Sequence, residues 1–130
     1  MMKVKQISIF IENRPGKLAS ICRALAADGV SIVALSLADT ADFGIVRMIV
    51  DDHVKGCATL TAAGFAVRET EVVVVTVPDR PGGMADLMER FDRADVDIQY
   101  AYAYAPGAGD KAVLVFRFSD NEKALEALVD

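Results

Sequence analysis

The chain has 130 residues, 53% of them hydrophobic, enough apolar material for a compact core. Its net charge of −5 is uneven, with seven Lys/Arg against six Asp/Glu over residues 1–67 and seven against thirteen over 68–130. Neither half has the basic stripe that a phosphate backbone requires, and no apolar run reaches the roughly 20 residues that cross a bilayer. Nucleic acid and membrane are therefore not expected as partners.

The N-terminus runs straight into a strand rather than a signal peptide, so a cytoplasmic protein is expected. From Val4 to Glu12, the residues Ile7, Ile9 and Ile11 share one face with period two. The turn Asn13-Arg14-Pro15-Gly16-Lys17-Leu18 follows. Leu18, Ile21, Cys22 and Leu25 then recur at helical spacing, with Pro15 expected in the first helical turn. Asp28-Gly29 ends that helix, and Val30-Ser31-Ile32 opens a second strand. Asp39 to Gly44, with two acids and an exposed-looking Phe43, reads as a hairpin turn, with the alternative that this loop borders the seam and closes over a ligand. A third strand from Ile45 to Val50 leads to a helix start at Asp51-Asp52. His53 beside it has no sequence partner and is expected in solvent. Gly64 stops the helix, and Phe65-Ala66-Val67 begins a fourth strand.

Sixty-six residues after the first turn, the same phrase returns as Asp79-Arg80-Pro81-Gly82-Gly83-Met84. It is preceded by Val73, Val75 and Val77 and followed by Met84, Leu87, Met88 and Phe91, an apolar stripe equivalent to the first. Val96-Asp97-Ile98 opens the next strand, where Tyr100, Tyr102 and Tyr104 alternate onto one face. Interface packing is the favoured reading of these tyrosines and a ligand wall the other. After a turn at Pro106 to Asp110 comes the strand Ala112 to Phe118. Ser119-Asp120-Asn121-Glu122 resembles a capping box, and the sequence ends with no fourth strand for this repeat.

The order β-α-β-β-α-β, written twice, predicts an α+β fold of two ferredoxin-like units, residues 1–69 and 70–130, the second lacking its final strand. The continuous run from Phe65 to Val77 then serves both units, and the second is left with a sheet edge for a neighbouring strand to relieve.

Cys22 and Cys57 are isolated on apolar faces and read as buried structural thiols. Without a Cys-x-x-Cys pair or a Cys/His cluster, neither a metal site nor a cofactor is expected. No nucleophile–base pair and no phosphate loop appears, so catalytic residues are not expected either. The repeated turn remains. The first N–H groups of a helix lack internal acceptors and carry partial positive charge, which suits a carboxylate or phosphate, and a glycine lets a ligand approach the backbone. A Pro-Gly pair also does no more than start a helix in many proteins, and its repetition in one context is what favours binding. Arg14 and Arg80 either clamp a carboxylate or project into solvent.

The run from Ile11 to Leu18, followed by Asp28-Gly29-Val30-Ser31-Ile32, resembles the ACT domain family of small-molecule regulatory modules, most closely the serine-binding domain of phosphoglycerate dehydrogenases. The resemblance implies ACT units side by side in one antiparallel sheet with helices on one face. It also implies an amino acid held between the glycine turn of one unit and the start of strand two of its partner. The implied ligand contacts are Asn13, Arg14, Pro15, Gly16, Lys17 and Leu18 with Asp97 at the stronger site, and Asp79, Arg80, Pro81, Gly82, Gly83 and Met84 with Ser31 at the weaker. The His of the serine-binding relatives is replaced by Ile11 and Val77. The expected function is non-catalytic binding of a free amino acid with a regulatory role, in a homodimer. The alternative is a ligand-free regulatory subunit or scaffold that docks on a metabolic enzyme.

Overall fold

The structure, a computed structural model, describes residues 2–12, 14–40, 42–104 and 109–129. It contains the strands β1 (Met2–Glu12), β2 (Ile32–Thr40), β3 (Phe43–Val50), β4 (Ala66–Pro78), β5 (Ile98–Ala103) and β6 (Lys111–Phe118). Four helices accompany them: α1 (Lys17–Ala27), α2 (His53–Ala62), α3 (Gly83–Arg93) and α4 (Asn121–Ala127). Two compact units emerge, one formed by Lys5–Thr70 and the other by residues 71–129 with 2–4. Strand β4 is uninterrupted and belongs to both, as the continuous stretch from Phe65 to Val77 predicts, although Arg68-Glu69-Thr70-Glu71 in its middle are polar.

In the first unit the strand order is β2-β3-β1-β4, and in the second β6 lies between β4 and β5. All described pairings are antiparallel, with Ile11 opposite Gly44 in one unit and Val77 opposite Ala112 in the other. The predicted alternation holds. Ile7, Ile9, Ile11, Val46, Met48 and Val50 face Ile21, Leu25 and Leu60 from the helices. In the second unit Val73, Val75 and Val77 face Leu87 and Phe91. There the aliphatic core gives way to an aromatic one: Phe91 meets Phe116 and Phe118 edge-on at centroid distances of 5.6 and 4.9 Å. Met84, expected in the apolar stripe, stays 40% exposed in the first turn of α3.

Three local expectations change. The prolines are not in the first helical turn: Gly16 and Gly82 are the N-caps, both at φ 87, so Pro15 and Pro81 precede the caps. Only the left-handed region reverses the chain sharply enough here, and glycine reaches it without strain. The capping residue of α4 is Asp120 rather than Ser119, its side chain accepting from Lys123 N at 3.1 Å. His53 is not isolated either. Its Nδ1 lies 3.4 Å from Glu69 Oε2, close enough for an ion pair when protonated, without hydrogen-bond alignment. The helix stops at Gly29 (φ 71) and Gly64 (φ 91) follow the sequence.

The second turn carries one further demand. A Cβ on Gly83 would lie 2.2 Å from the Pro78 carbonyl oxygen, whereas one on Gly16 would meet nothing within 4 Å. Gly83→Ala should therefore cost about 3 kcal/mol or more, a fall of roughly 10 °C or more in melting temperature, through overpacking against rigid backbone. Gly16→Ala should cost only the left-handed penalty of about 1–2 kcal/mol. Equal losses in a thermal denaturation experiment would contradict the difference.

Cys22 and Cys57 are both only partly buried, against the expectation, and the Cys57 thiol is pushed up to about 11, first by burial and then by the neighbouring Glu69 carboxylate. Cys57 should react slowly with iodoacetamide at pH 8.5, because the thiolate is the reactive form. Glu69→Gln should speed that reaction about a few-fold, and mass spectrometry of the modified peptide reads the rate.

Candidate functional site

Helix α1 begins without a side-chain cap and has no acidic residue in its first turn. Lys17 N bonds to Arg14 O at 3.4 Å and Ser20 N to Gly16 O at 3.0 Å. Between them, the amides of Leu18 and Ala19 find no backbone or side-chain acceptor among the described residues. Such orphan donors carry the positive end of the helix dipole. They border a cavity of about 240 Å³ lined by Ile11, Glu12, Arg14, Gly16, Lys17, Leu18, Ala19, Leu37, Asp39 and Gly44.

The cavity floor is a row across three strands. Ile11 of β1 pairs with Gly44 of β3, which pairs with Asp39 of β2. Because Gly44 alternates with the core residues Val46, Met48 and Val50, the row lies on the helix-covered face, beneath the first turn of α1. Hydrocarbon from Ile11, Leu18 and Leu37 thus lies in the same cavity as the Asp39 carboxylate and the helix amides. This arrangement can hold a small zwitterion: donors for an anion, a carboxylate for a cation, and an apolar surface between.

Arg14 lines the cavity at its solvent side, 61% exposed, and pairs there with Glu12 at 3.0 Å. Pro15 is exposed ahead of the cap, and Asn13 lies outside the described residues. Of the expected contacts in this turn, Arg14, Gly16, Lys17 and Leu18 line the cavity. Sequence reasoning treated Asp39 and Gly44 as a loop and missed the strand row they form with Ile11, because register is a long-range property.

The second turn is chemically different. Its helix start carries an acid of its own, Asp86, in the first turn of α3. Arg80 donates to Asp86 Oδ2 at 3.2 Å and to Pro81 O at 3.1 Å. Asp79 N donates to Asp110 O at 2.8 Å. Gly82 is the cap, Gly83 packs under Pro78, and Met84 is exposed. A larger cavity of about 400 Å³ borders Arg80, Gly83, Asp86 and Arg90. Size does not decide between the two: the helix start here already carries the Arg80–Asp86 ion pair, whereas the first turn of α1 carries no acid of its own.

Ser31 and Asp97 open strands β2 and β5 and are exposed. Ser31 exchanges hydrogen bonds with Asp51, through its N to Oδ1 and its O from Asp51 N, both at 3.0 Å, and Asp97 O accepts from Ser119 N at 3.1 Å. Within each unit the strand start lies at the opposite end of the sheet from the glycine turn. Pairing of Ile32 with Val50 and of Thr40 with Phe43 sets that separation at roughly 26 Å along β2. Neither residue therefore completes the site of its own unit. The three tyrosines share the face away from the helices, where Tyr100 and Tyr102 stand opposite Arg117 and Val115. The turn predicted from Pro106 to Asp110 lies partly outside the described residues.

Among the described residues no group of three or more His, Cys, Asp or Glu could hold a metal ion, and no helix is long and apolar enough to cross a membrane.

Comparison with known proteins agrees with this architecture. Curated protein sequences give no match. The chain is similar to protein BT0572 of Bacteroides thetaiotaomicron, at 38% identity and a TM-score of 0.91, over 98% of this chain and 87% of that one. It shares its fold with the ligand-free regulatory subunit of aspartate kinase from Thermus thermophilus, at 15% identity, 98% and 95% coverage and a TM-score of 0.69. The Thermus flavus subunit gives 16%, 97% and 92%, and 0.66. These structures lend no support to the finer likeness to phosphoglycerate dehydrogenases. The profile of the ACT domain pair matches residues 2–130. With two βαβ-based units, a glycine-capped turn repeated in each, and that match across the whole described chain, the protein belongs to the family of ACT domain pairs, which are regulatory modules.

Proposed function

We propose that the protein is an amino-acid sensor whose ligand sits in the first-unit cavity under α1. The carrying observation is the pair of uncapped amides, Leu18 and Ala19, sharing a cavity with Asp39 over an aliphatic floor. A carboxylate at the amides and an ammonium at Asp39 make charge-assisted contacts at the two ends of one small molecule.

The seam expected from the resemblance fits a second copy of the chain. Strand β2 is an edge strand, and on its helix-covered face Leu35 and Leu37 are 40% and 54% exposed. An apolar edge of this kind favours covering by another strand. A second copy laid with its other edge strand, β5, antiparallel along β2 brings the start of that β5, with Asp97, toward the first-unit turn. In this reading Asp97 of one copy joins Asn13 and Gly16 of the other, and Ser31 joins the turn from Asp79 to Met84 as the weaker site. Ligand then favours the closed arrangement by population shift. The same exposed edge also favours a second reading, in which a regulated enzyme takes the place of the second copy.

A thermal-shift screen of the twenty amino acids tests the first reading. One class should raise the melting temperature, since a ligand at a hundredfold excess over its Kd adds about 2.7 kcal/mol to the folded state. Asp39→Asn should weaken that ligand about tenfold or more. Asp97→Ala should weaken it too, and more at high protein concentration, where the dimer forms. An Asp97→Ala variant that binds as tightly as the parent at every concentration would remove Asp97 from the site. No shift with any amino acid would leave the docking subunit as the reading.

A further inference from the structure

Gly44 is buried as the second residue of strand β3, one pair in from the hairpin and on the core-facing side, where side chains normally pack. The backbone does not require it. Gly44 is not among the positive-φ residues, so an L side chain could adopt its conformation. Nor does steric exclusion require it: a Cβ there would meet Ile11 Cγ1, Leu37 Cδ1 and Ala38 O, each at 3.5 Å, an ordinary van der Waals distance. The site has room for a methyl group and has none. That room opens into the cavity beneath α1, between the hydrocarbon of Ile11 and that of Leu37.

The second unit supplies the contrast. There Val77 stands opposite Ala112, as Ile11 stands opposite Gly44, so the equivalent space holds a methyl. The two units agree in core type along these strands and differ at this position.

We infer that Gly44 is a specificity determinant and that the ligand of the first unit is an amino acid with a branched aliphatic side chain, of the valine, leucine or isoleucine class. This rests on the amino-acid reading of the cavity and adds to it the identity of the side chain. The branched chain lies against Gly44, with Ile11 and Leu37 on either side. The ammonium faces Asp39, which pairs with Gly44 across the sheet, and the carboxylate meets the amides of Leu18 and Ala19. Apolar atoms replace water against apolar walls, while every charged end of the ligand retains a partner.

Isothermal titration of the full chain with valine, leucine, isoleucine, alanine, serine and glutamate tests the assignment. In the parent, the branched amino acids should bind about tenfold or more tightly than alanine or serine, the discrimination a few methylenes supply in an apolar pocket. Gly44→Ala should fold with unchanged or slightly raised stability and lose about tenfold in affinity for the branched ligands, with alanine unaffected. Leu37→Phe closes the same space from the exposed edge strand and should act likewise, which keeps the test decisive if one variant folds poorly. Branched ligands bound equally by parent and both variants, or a parent that prefers serine or glutamate, would overturn the assignment and leave amino-acid sensing intact. Absence of binding by any amino acid would overturn both.

Discussion

A glycine in the left-handed conformation, placed between a strand and a helix, is the constraint on which the rest depends. At φ 87, Gly16 turns the chain from β1 into α1 in a few residues and caps the helix with no side chain. Any of the usual capping residues would occupy the first amides with its own oxygen. Glycine leaves them to whatever lies beyond, and the short connection holds the helix start directly over the end of the sheet. Position and unsatisfied donors thus come from one residue.

The same device appears in the second unit, where Gly82 also has φ 87, yet the outcome differs. There Asp86 supplies the negative charge that the helix start attracts, Arg80 neutralises Asp86, and Gly83 allows Pro78 O to pack tightly beneath the helix. The amides of Met84 and Ala85, like those of Leu18 and Ala19, find no acceptor among the described residues, so the two turns differ in charge. The second carries the Arg80–Asp86 pair, and the first has Lys17 in place of Gly83 and no acid in its first turn. Units of one fold need not share a site, and the residues separating these two copies are those that touch the helix dipole.

Much of this was legible in the sequence, for physical reasons. Period-two isoleucines and the stripe from Leu18 to Leu25 fix which faces are buried, because burial follows local geometry. The repeat fixed the boundaries of the elements, and the run through β4 revealed that one strand serves two units. The site was less legible. Gly16 and Lys17 could be named because their role is local. The row Ile11–Gly44–Asp39 joins residues distant in sequence, and no local pattern shows which strand positions stand opposite one another. Likewise the acid in the first turn of α3 is Asp86, which meets Arg80 six residues away, a distance a helical turn closes but a linear reading does not. The fate of the prolines shows the same limit, since only backbone angles separate a residue before the cap from one after it.

What connects these observations is a claim about two amides. If the helix start of the first unit is a ligand site, its donors must change environment when ligand binds. The most direct measurement is backbone amide chemical-shift mapping of the ligand-free chain titrated with valine, leucine or isoleucine. The account predicts the largest shifts at Leu18 and Ala19 of α1 and at Gly44 of β3, saturating together, with smaller changes around Gly82 and Gly83. Shifts that centre on the second turn, or amides of Leu18 and Ala19 that stay fixed while ligand binds elsewhere, would contradict it.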